Sequence, residues 1–184
     1  MTGPSSDAAG AVTIASLDEG AARAALPELA AVLVDAVAGG SSVNFMAGLD
    51  TAAATRFWEG QIPGLADGGR RLFVARVEGR IVGTVVLTFA PQPNAPHRAE
   101  IGKMLVLSSM RRRGIGRRLL AAAEAAAIEA GRFLLMLDTE AGSAGEALYR
   151  QAGWSAFGLV PDHSFRPQGV LAPTTFFYKR LDTP

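Results

Sequence analysis

The spacing of apolar positions in the first third of the chain predicts a strand followed by two helices. Residues 12–15 form a β-rich run, and the Ala- and Leu-rich stretch after it carries Pro27 where the first turn of a helix would lie. That helix is predicted to end near residues 39–40, which are both glycine. Asp50 is placed to cap a second helix, and the Asp-Gly-Gly sequence at residues 67–69 predicts a break after it.

The alternation of apolar and polar residues in the middle of the chain predicts three antiparallel strands. Residues 71–77 and 80–89 are predicted strands, and the Glu-Gly pair at 78–79 between them is typical of a tight hairpin turn. Residues 91–96 are rich in proline and predict a longer loop. A third strand is then predicted from residue 100 to residue 107.

The last part of the chain predicts a β-α-β unit and three further elements. The Ala-rich stretch 114–130 has the spacing of an amphipathic helix that ends at Gly131. Residues 133–137 are wholly apolar, which is typical of a buried strand in a parallel pair. Together these patterns predict an α/β fold with a mixed, mostly antiparallel sheet flanked by helices. The remaining predictions are a helix over 143–152 and strands over 154–160 and 174–181.

Composition narrows the class of protein. The chain has 184 residues, of which 49% are hydrophobic and 19% charged, so it can bury the core of one ordinary domain. The absence of cysteine excludes thiol nucleophiles and disulfides, and two histidines, His97 and His163, are too few to predict a metal site. We expect residues 1–10 to be a mobile tail and residues 11–184 to form the single domain.

The chain carries no pattern that predicts a membrane partner. The N-terminal residues lack a basic segment followed by a long apolar one, so no signal peptide is expected. The longest later apolar stretches are too short to span a bilayer. We therefore expect a cytoplasmic protein, and the sequence leaves open whether it forms a homodimer.

An arginine cluster between a predicted strand and a predicted helix is the sharpest candidate for chemistry. Positive side chains oppose the dipole at a helix N-terminus, whereas glycines and free amides there favour binding of a phosphate. A solvated basic helix start is the alternative. The sequence lacks the Gly-Lys-Ser/Thr of a P-loop and the third glycine of a dinucleotide site, and without interleaved aromatic residues nucleic-acid binding is not expected. The cluster consists of Arg111, Arg112, Arg113, Arg117 and Arg118, with Gly114, Ile115 and Gly116 among them.

The order R-x-x-G-x-G after a strand resembles the coenzyme motif of the GNAT superfamily of N-acetyltransferases. The resemblance extends from about residue 12 to residue 181, and it implies a sheet that splays beside the β-α-β unit to bind acetyl-CoA. It implies that Met104, Leu105 and Val106 pair with the pantetheine arm, and that the segment from Arg111 to Arg117 holds the pyrophosphate. The late helix also matches, except that Ser143 stands where many members of the family carry Asn.

The resemblance implies that Glu100 is the general base that deprotonates the acceptor amine. Strand alternation predicts that Glu100 shares one face with Gly102, Met104 and Val106. The alternative is a surface glutamate that pairs with one of the two neighbouring cations.

Other candidate site residues follow from the resemblance and, for Asp138, from its position in the chain. Tyr149 is the candidate acid for the departing thiolate, although a buried core tyrosine is the alternative. Asp138 ends an apolar strand at its carboxyl end, where it could bind the substrate ammonium or help to deprotonate it, or could cap a turn. Asn44 and Phe45 belong to a segment that the family commonly uses as a wall of the acceptor site.

These expectations combine into a function. The chain is similar to the tabtoxin resistance branch of that superfamily, which implies transfer of acetyl from acetyl-CoA to a small-molecule primary amine. Because cysteine is absent, we expect direct attack in a ternary complex. The alternatives are acetylation of a protein N-terminus or lysine, and a non-catalytic sensor of acyl-CoA.

Overall fold

A seven-stranded sheet organises the computed structural model, which describes residues 10–182. The tail predicted for residues 1–10 lies outside these residues apart from Gly10. The strands follow the order β1-β2-β3-β4-β5-β7-β6. All neighbours are antiparallel except β4 and β5, which confirms the mixed sheet with one parallel pair. The strands are β1 (Thr13–Leu17), β2 (Arg70–Val77), β3 (Arg80–Phe89), β4 (Arg98–Val106), β5 (Leu134–Glu140), β6 (Ser155–Phe165) and β7 (Leu171–Arg180).

Helices cover both faces of the sheet and divide the core in two. Four helices pack on one face around the buried Trp58, whose indole N–H donates to the Leu29 carbonyl at 2.9 Å. The other two lie on the opposite face around Leu119 and Phe177, which are fully buried. The first group is α1 (Glu19–Ala24), α2 (Leu26–Ala38), α3 (Thr51–Glu59) and α4 (Ile62–Ala66), and the second is α5 (Ile115–Glu129) and α6 (Ala144–Gln151).

The helix cap and the hairpin turn that the sequence predicts both form. The Asp50 side chain caps α3 by accepting from the Ala53 amide at 2.7 Å. Glu78 and Gly79 both have positive φ, of 50° and 80°, as the two central residues of a type I′ hairpin require. These short-range interactions fix where α3 begins and how β2 turns into β3.

The closing hairpin differs from its prediction. β6 and β7 extend to residues 165 and 171, and the tip between them reaches the loop that follows α2. There the Ala47 amide donates to the Pro167 carbonyl at 2.9 Å, and the Ser42 and Ser164 hydroxyls are 3.4 Å apart. The hairpin therefore forms a wall beside the carboxyl end of β5. Among residues 10–182, no helix is long and apolar enough to cross a membrane.

Candidate active site

The parallel strands β4 and β5 separate part of the way along their length. They pair only where Arg98–Glu100 faces Leu134–Met136, although β4 continues to Val106 and β5 to Glu140. Beyond Glu100 the edge of β4 that faces β5 has no strand partner, so its backbone groups are available to a ligand.

A bulge in β4 changes which side chains face this opening. Lys103 has a φ of 47°, and the pairing with β3 skips between Val86 and Thr84. The Thr84 hydroxyl, which is fully buried, donates to the Lys103 carbonyl at 2.9 Å. The extra residue reverses the alternation of side chains along the rest of β4.

The predicted face of Glu100, Gly102, Met104 and Val106 is therefore wrong. Met104 and Val106 pack with Ile101 against the core beside α5, whereas Leu105 is buried in the core beside α2. Uninterrupted alternation, with two residues per repeat, would instead place Met104 and Val106 on the same face as Glu100. Glu100 precedes the bulge and points away from α5.

The loop before α5 presents an array of backbone N–H groups. Arg112 and Gly114 have positive φ values of 64° and 74°, and Gly114 is the cap of α5 without a side-chain acceptor. Within residues 10–182, the amides of residues 112–117 donate to no other protein group, and the next one, Arg118, donates to the Gly114 carbonyl. Successive free amides at a helix start form a site for an anion.

The arginines around this loop are exposed. In the part of the chain that the structure describes, Arg111, Arg112, Arg113, Arg117 and Arg118 form no ion pair, and Arg111 Nε donates to the Val106 carbonyl at 3.4 Å. α2 anchors the approach to the loop, because the Asp35 carboxylate accepts from the Ser108 amide at 2.7 Å and from its hydroxyl at 2.8 Å.

A cleft of about 370 Å³ adjoins the point where β4 and β5 separate. Glu100 and Asp138 both line it, together with Phe176, which pairs with Asp138 across β5 and β7. Neither carboxylate has an ion-pair partner or a hydrogen bond among residues 10–182, so the pairing of Glu100 with Arg98 or Lys103 does not form. Both acids are free to meet a ligand.

Lys103 was not predicted as a functional residue, and it lies beside these acids. Burial lowers the pKa of its ammonium, while the charges of Asp138 and Glu100 act in the opposite direction. Its Nζ lies 5.2 Å from the centre of the Phe57 ring. No pattern in the sequence marks this position, because the bulge that aims the side chain depends on pairing with β3.

Tyr149 lies on the other side of the opening. The side chain is 5% exposed and packs against Trp154 and Phe177, with ring centres 5.8 and 6.1 Å away. Its hydroxyl has no hydrogen-bond partner among the described residues, and the oxygen is not completely buried. Burial, and secondarily the charge of Asp138, raise the pKa of Tyr149 above its ordinary value of 10.0, so the phenol stays protonated.

The side chain of Ser143 has a structural partner. It caps α6 by accepting from the Glu146 amide at 3.1 Å and lies 3.4 Å from the Thr139 hydroxyl. Its predicted contact with the coenzyme therefore stays a prediction.

Asn44 and Phe45 are not among the residues that line the cleft. Asn44 is exposed with a φ of 72°, and Phe45 is half-buried with its ring edge-on to Phe57 at 5.3 Å. Phe57 in turn contacts Lys103, which connects this segment to the acids. Among the residues described, no group of three His, Asp or Glu side chains is placed to hold a metal ion.

Glu146 stabilises the helix that carries Tyr149, and the contribution of its charge to stability can be measured. The Gly142 amide, and then Arg150, hold the pKa of Glu146 below its ordinary value of 4.5. The ionised form therefore stabilises the fold at neutral pH, and this contribution is lost as the pH falls through the lowered pKa. We expect Glu146→Gln to reduce the free energy of unfolding at pH 7 by about 1 kcal/mol. Urea titrations should show that the difference in the free energy of unfolding between the two proteins becomes smaller below pH 4. An equal difference at pH 7 and below pH 4 would assign the effect to packing.

Comparison with known proteins identifies the class. Residues 42–154 match the model of the Acetyltransferase (GNAT) family, so the chain belongs to that family. The matched segment contains the separating strands, both free carboxylates and the amide-rich loop. The chain is an acyltransferase that uses acetyl-CoA.

Solved structures share the whole fold. The ribosomal-protein-alanine N-acetyltransferase of Brucella melitensis is 29% identical, with a TM-score of 0.75 over 92% of this chain and 99% of that one. An N-acetyltransferase of Staphylococcus aureus Mu50 is 17% identical, with a TM-score of 0.76 over 94% and 99%. A protein of Salmonella typhimurium, yncA, solved with its cofactor acetyl-CoA, is 18% identical, with a TM-score of 0.75 over 95% and 96%.

The amide-rich loop gives a prediction for coenzyme affinity. A Cβ at Gly116, whose own amide is one of the free ones, would lie 3.2 Å from Leu148 Cδ2. We expect Gly116→Val to raise the dissociation constant for acetyl-CoA about tenfold or more, as measured by calorimetric titration. The same change in a Leu148→Ala background relieves the contact with α6 and should still weaken binding. Affinity restored by Leu148→Ala would show that Gly116 serves helix packing alone.

Proposed function

We propose that the enzyme transfers acetyl from acetyl-CoA to the primary amine of a small molecule, by direct attack in a ternary complex. The observation that carries this proposal is the opening between β4 and β5, with the free carboxylates of Glu100 and Asp138 on one side and the Tyr149 hydroxyl on the other. Because the chain has no cysteine, no thiol can carry the acetyl group between the two substrates.

The residues around the opening suit acetyl-CoA. The free amides of residues 112–117 and the exposed arginines beside them provide donors and positive charge for a pyrophosphate. The open edge of β4, from Met104 to Val106, offers backbone groups to an amide-containing arm. When bound, acetyl-CoA supplies the acetyl group to be transferred.

We assign a role in the transfer to three residues near the opening. An alkyl ammonium titrates near 10, so most substrate arrives protonated at neutral pH and must lose a proton before it can attack. Glu100 accepts that proton at its carboxylate, directly or through a water. Asp138 binds the ammonium, so that both carboxylates balance the positive charge of the substrate. Tyr149 holds a proton at Oη and donates a hydrogen bond to the leaving sulfur.

The dimensions of the cleft support a small acceptor. Its volume of about 370 Å³ is in the range of small-molecule sites. Asn44 and Phe45, which lie outside the lining of the cleft, would contact an acceptor that extends towards α3. A small toxin or antibiotic amine, as in the tabtoxin resistance branch, is such an acceptor, and acetylating it would make this a cytoplasmic resistance enzyme.

A protein N-terminus is the second candidate acceptor. The Brucella melitensis ribosomal-protein-alanine N-acetyltransferase is 29% identical over nearly the whole of both chains, which favours this alternative. Its acceptor would be a peptide rather than a small molecule.

Release of CoA measured with panels of acceptors tests both candidates. One panel consists of small primary amines, and the other of peptide amides that begin with alanine. We expect turnover with at least one small amine and none with the peptides. Turnover with peptides alone would replace the first candidate by the second. Binding of acetyl-CoA without turnover on either panel would indicate a sensor.

A further inference from the structure

The acceptor cleft contains a cation that the proposed reaction does not use. Arg98 lies two residues before Glu100 on β4, ahead of the bulge, so both side chains project from the same face of the sheet. Arg98 lines the cleft together with Glu100 and Asp138. The structure therefore places a guanidinium beside the two free carboxylates.

This guanidinium is largely without partners. Arg98 Nη2 donates to Gln92 Oε1 at 3.2 Å, and within residues 10–182 the side chain has no other hydrogen bond and no carboxylate within 4.0 Å. A guanidinium has five N–H donors in a planar array that matches the two oxygens of a carboxylate. Most of these donors remain available to a ligand in the cleft.

The charges around the cleft also favour a particular kind of acceptor. Glu100, Asp138 and Arg98 line the cleft, so it presents two carboxylates and one guanidinium. An acceptor that carries both an ammonium and a carboxylate gives each kind of charge an opposite partner.

The remaining lining is mainly apolar. Met136, Leu137 and Phe176 come from the strands, and Phe89 and Pro91 lie at the start of the loop between β3 and β4. These side chains suit a hydrocarbon group more than a polar one.

We propose that the acceptor is an apolar amino acid with a free carboxylate, and that Arg98, positioned by Gln92, binds this carboxylate. The inference rests on the proposed transfer to a small amine and names the class of that amine. The ammonium then lies at Glu100 and Asp138, nearest the opening between β4 and β5, and the side chain of the acceptor lies against Met136 and Phe176.

Leucine and leucinamide test this proposal, because they share the apolar side chain and the α-amine while only leucine has a carboxylate. We expect the wild-type enzyme to acetylate leucine with the higher kcat/KM. Arg98→Gln should lower kcat/KM for leucine about tenfold or more, mainly through KM, and should change the value for leucinamide less than about threefold. Arg98→Lys should recover part of the loss. Arg71→Gln, at an exposed arginine of β2, is the matched control and should change neither value.

Other outcomes overturn the proposal. If Arg98→Gln reduces kcat/KM for leucine and leucinamide by the same factor, or reduces neither, Arg98 does not bind a carboxylate. Turnover of leucinamide and other amines would then leave the proposed function intact. If no amine or peptide is acetylated while acetyl-CoA still raises the melting temperature, the proposed function fails together with this inference.

Discussion

Replacing Glu100 with glutamine is expected to lower kcat/KM at neutral pH about 100-fold, because the variant keeps the size of the side chain but cannot accept the proton of the substrate. Glu100 has no partner within the described residues that would oppose this role. The affinity for acetyl-CoA should not change, since the side chain faces the acceptor cleft. The break that the catalytic carboxylate causes in the acidic limb of the pH-rate profile should disappear, and the remaining pH dependence should follow the fraction of neutral amine, which rises towards pH 10.

The control for this prediction is Glu129→Gln, which changes an exposed glutamate at the end of α5. It should retain the wild-type rate and profile. The neighbouring acid provides the decisive comparison, because Asp138 lines the same cleft and two nearby carboxylates can titrate as a pair. If the break in the acidic limb persists in Glu100→Gln but is absent in Asp138→Asn, then Asp138 is the base and Glu100 positions the substrate.

Replacing Tyr149 with phenylalanine is expected to lower kcat about 10- to 100-fold without weakening acetyl-CoA binding. The change removes only the hydroxyl, so the contacts of the ring with Trp154 and Phe177 remain. The raised pKa of this phenol favours a hydrogen bond to the leaving sulfur over complete transfer of the proton. Pre-steady-state measurement of the transfer step, separated from product release, checks this effect.

Tyr178→Phe is the matched control for Tyr149, because it removes the same group from a 38% exposed tyrosine on β7. It should turn over at the wild-type rate. A Tyr149→Phe enzyme with normal kcat and lowered stability would mean that this side chain contributes packing alone.

The sequence predicted those parts of the fold that depend on neighbouring residues. Asp50 marks the start of α3 and the Glu78-Gly79 turn joins β2 to β3, because a cap or a hairpin turn is determined within four residues. The apolar run in β5 predicted its parallel partner correctly. The family resemblance led to Glu100, and the position at the carboxyl end of an apolar strand led to Asp138; the structure places both in one cleft.

Features that depend on distant partners were missed. α4 contains Pro63 and Gly64, which weaken any helical signal, and it forms as Ile62 is buried among the helices on that face. The hairpin of β6 and β7 continues past Pro161 and Pro173, which read as breaks in the sequence. The bulge at Lys103 depends on Thr84 across the sheet, so alternation along β4 alone could not reveal it.

That bulge also has a consequence for how the sequence of β4 can vary. The strand consists of two segments with opposite phase, in which Ala99 and Ile101 share a core with Met104, while Leu105 belongs to the other core. An insertion or deletion elsewhere in the strand would move Glu100 into the core or expose Leu105. Lys103 is therefore the position where an alignment of relatives can gain or lose a residue, and aligned strands should be compared separately on its two sides.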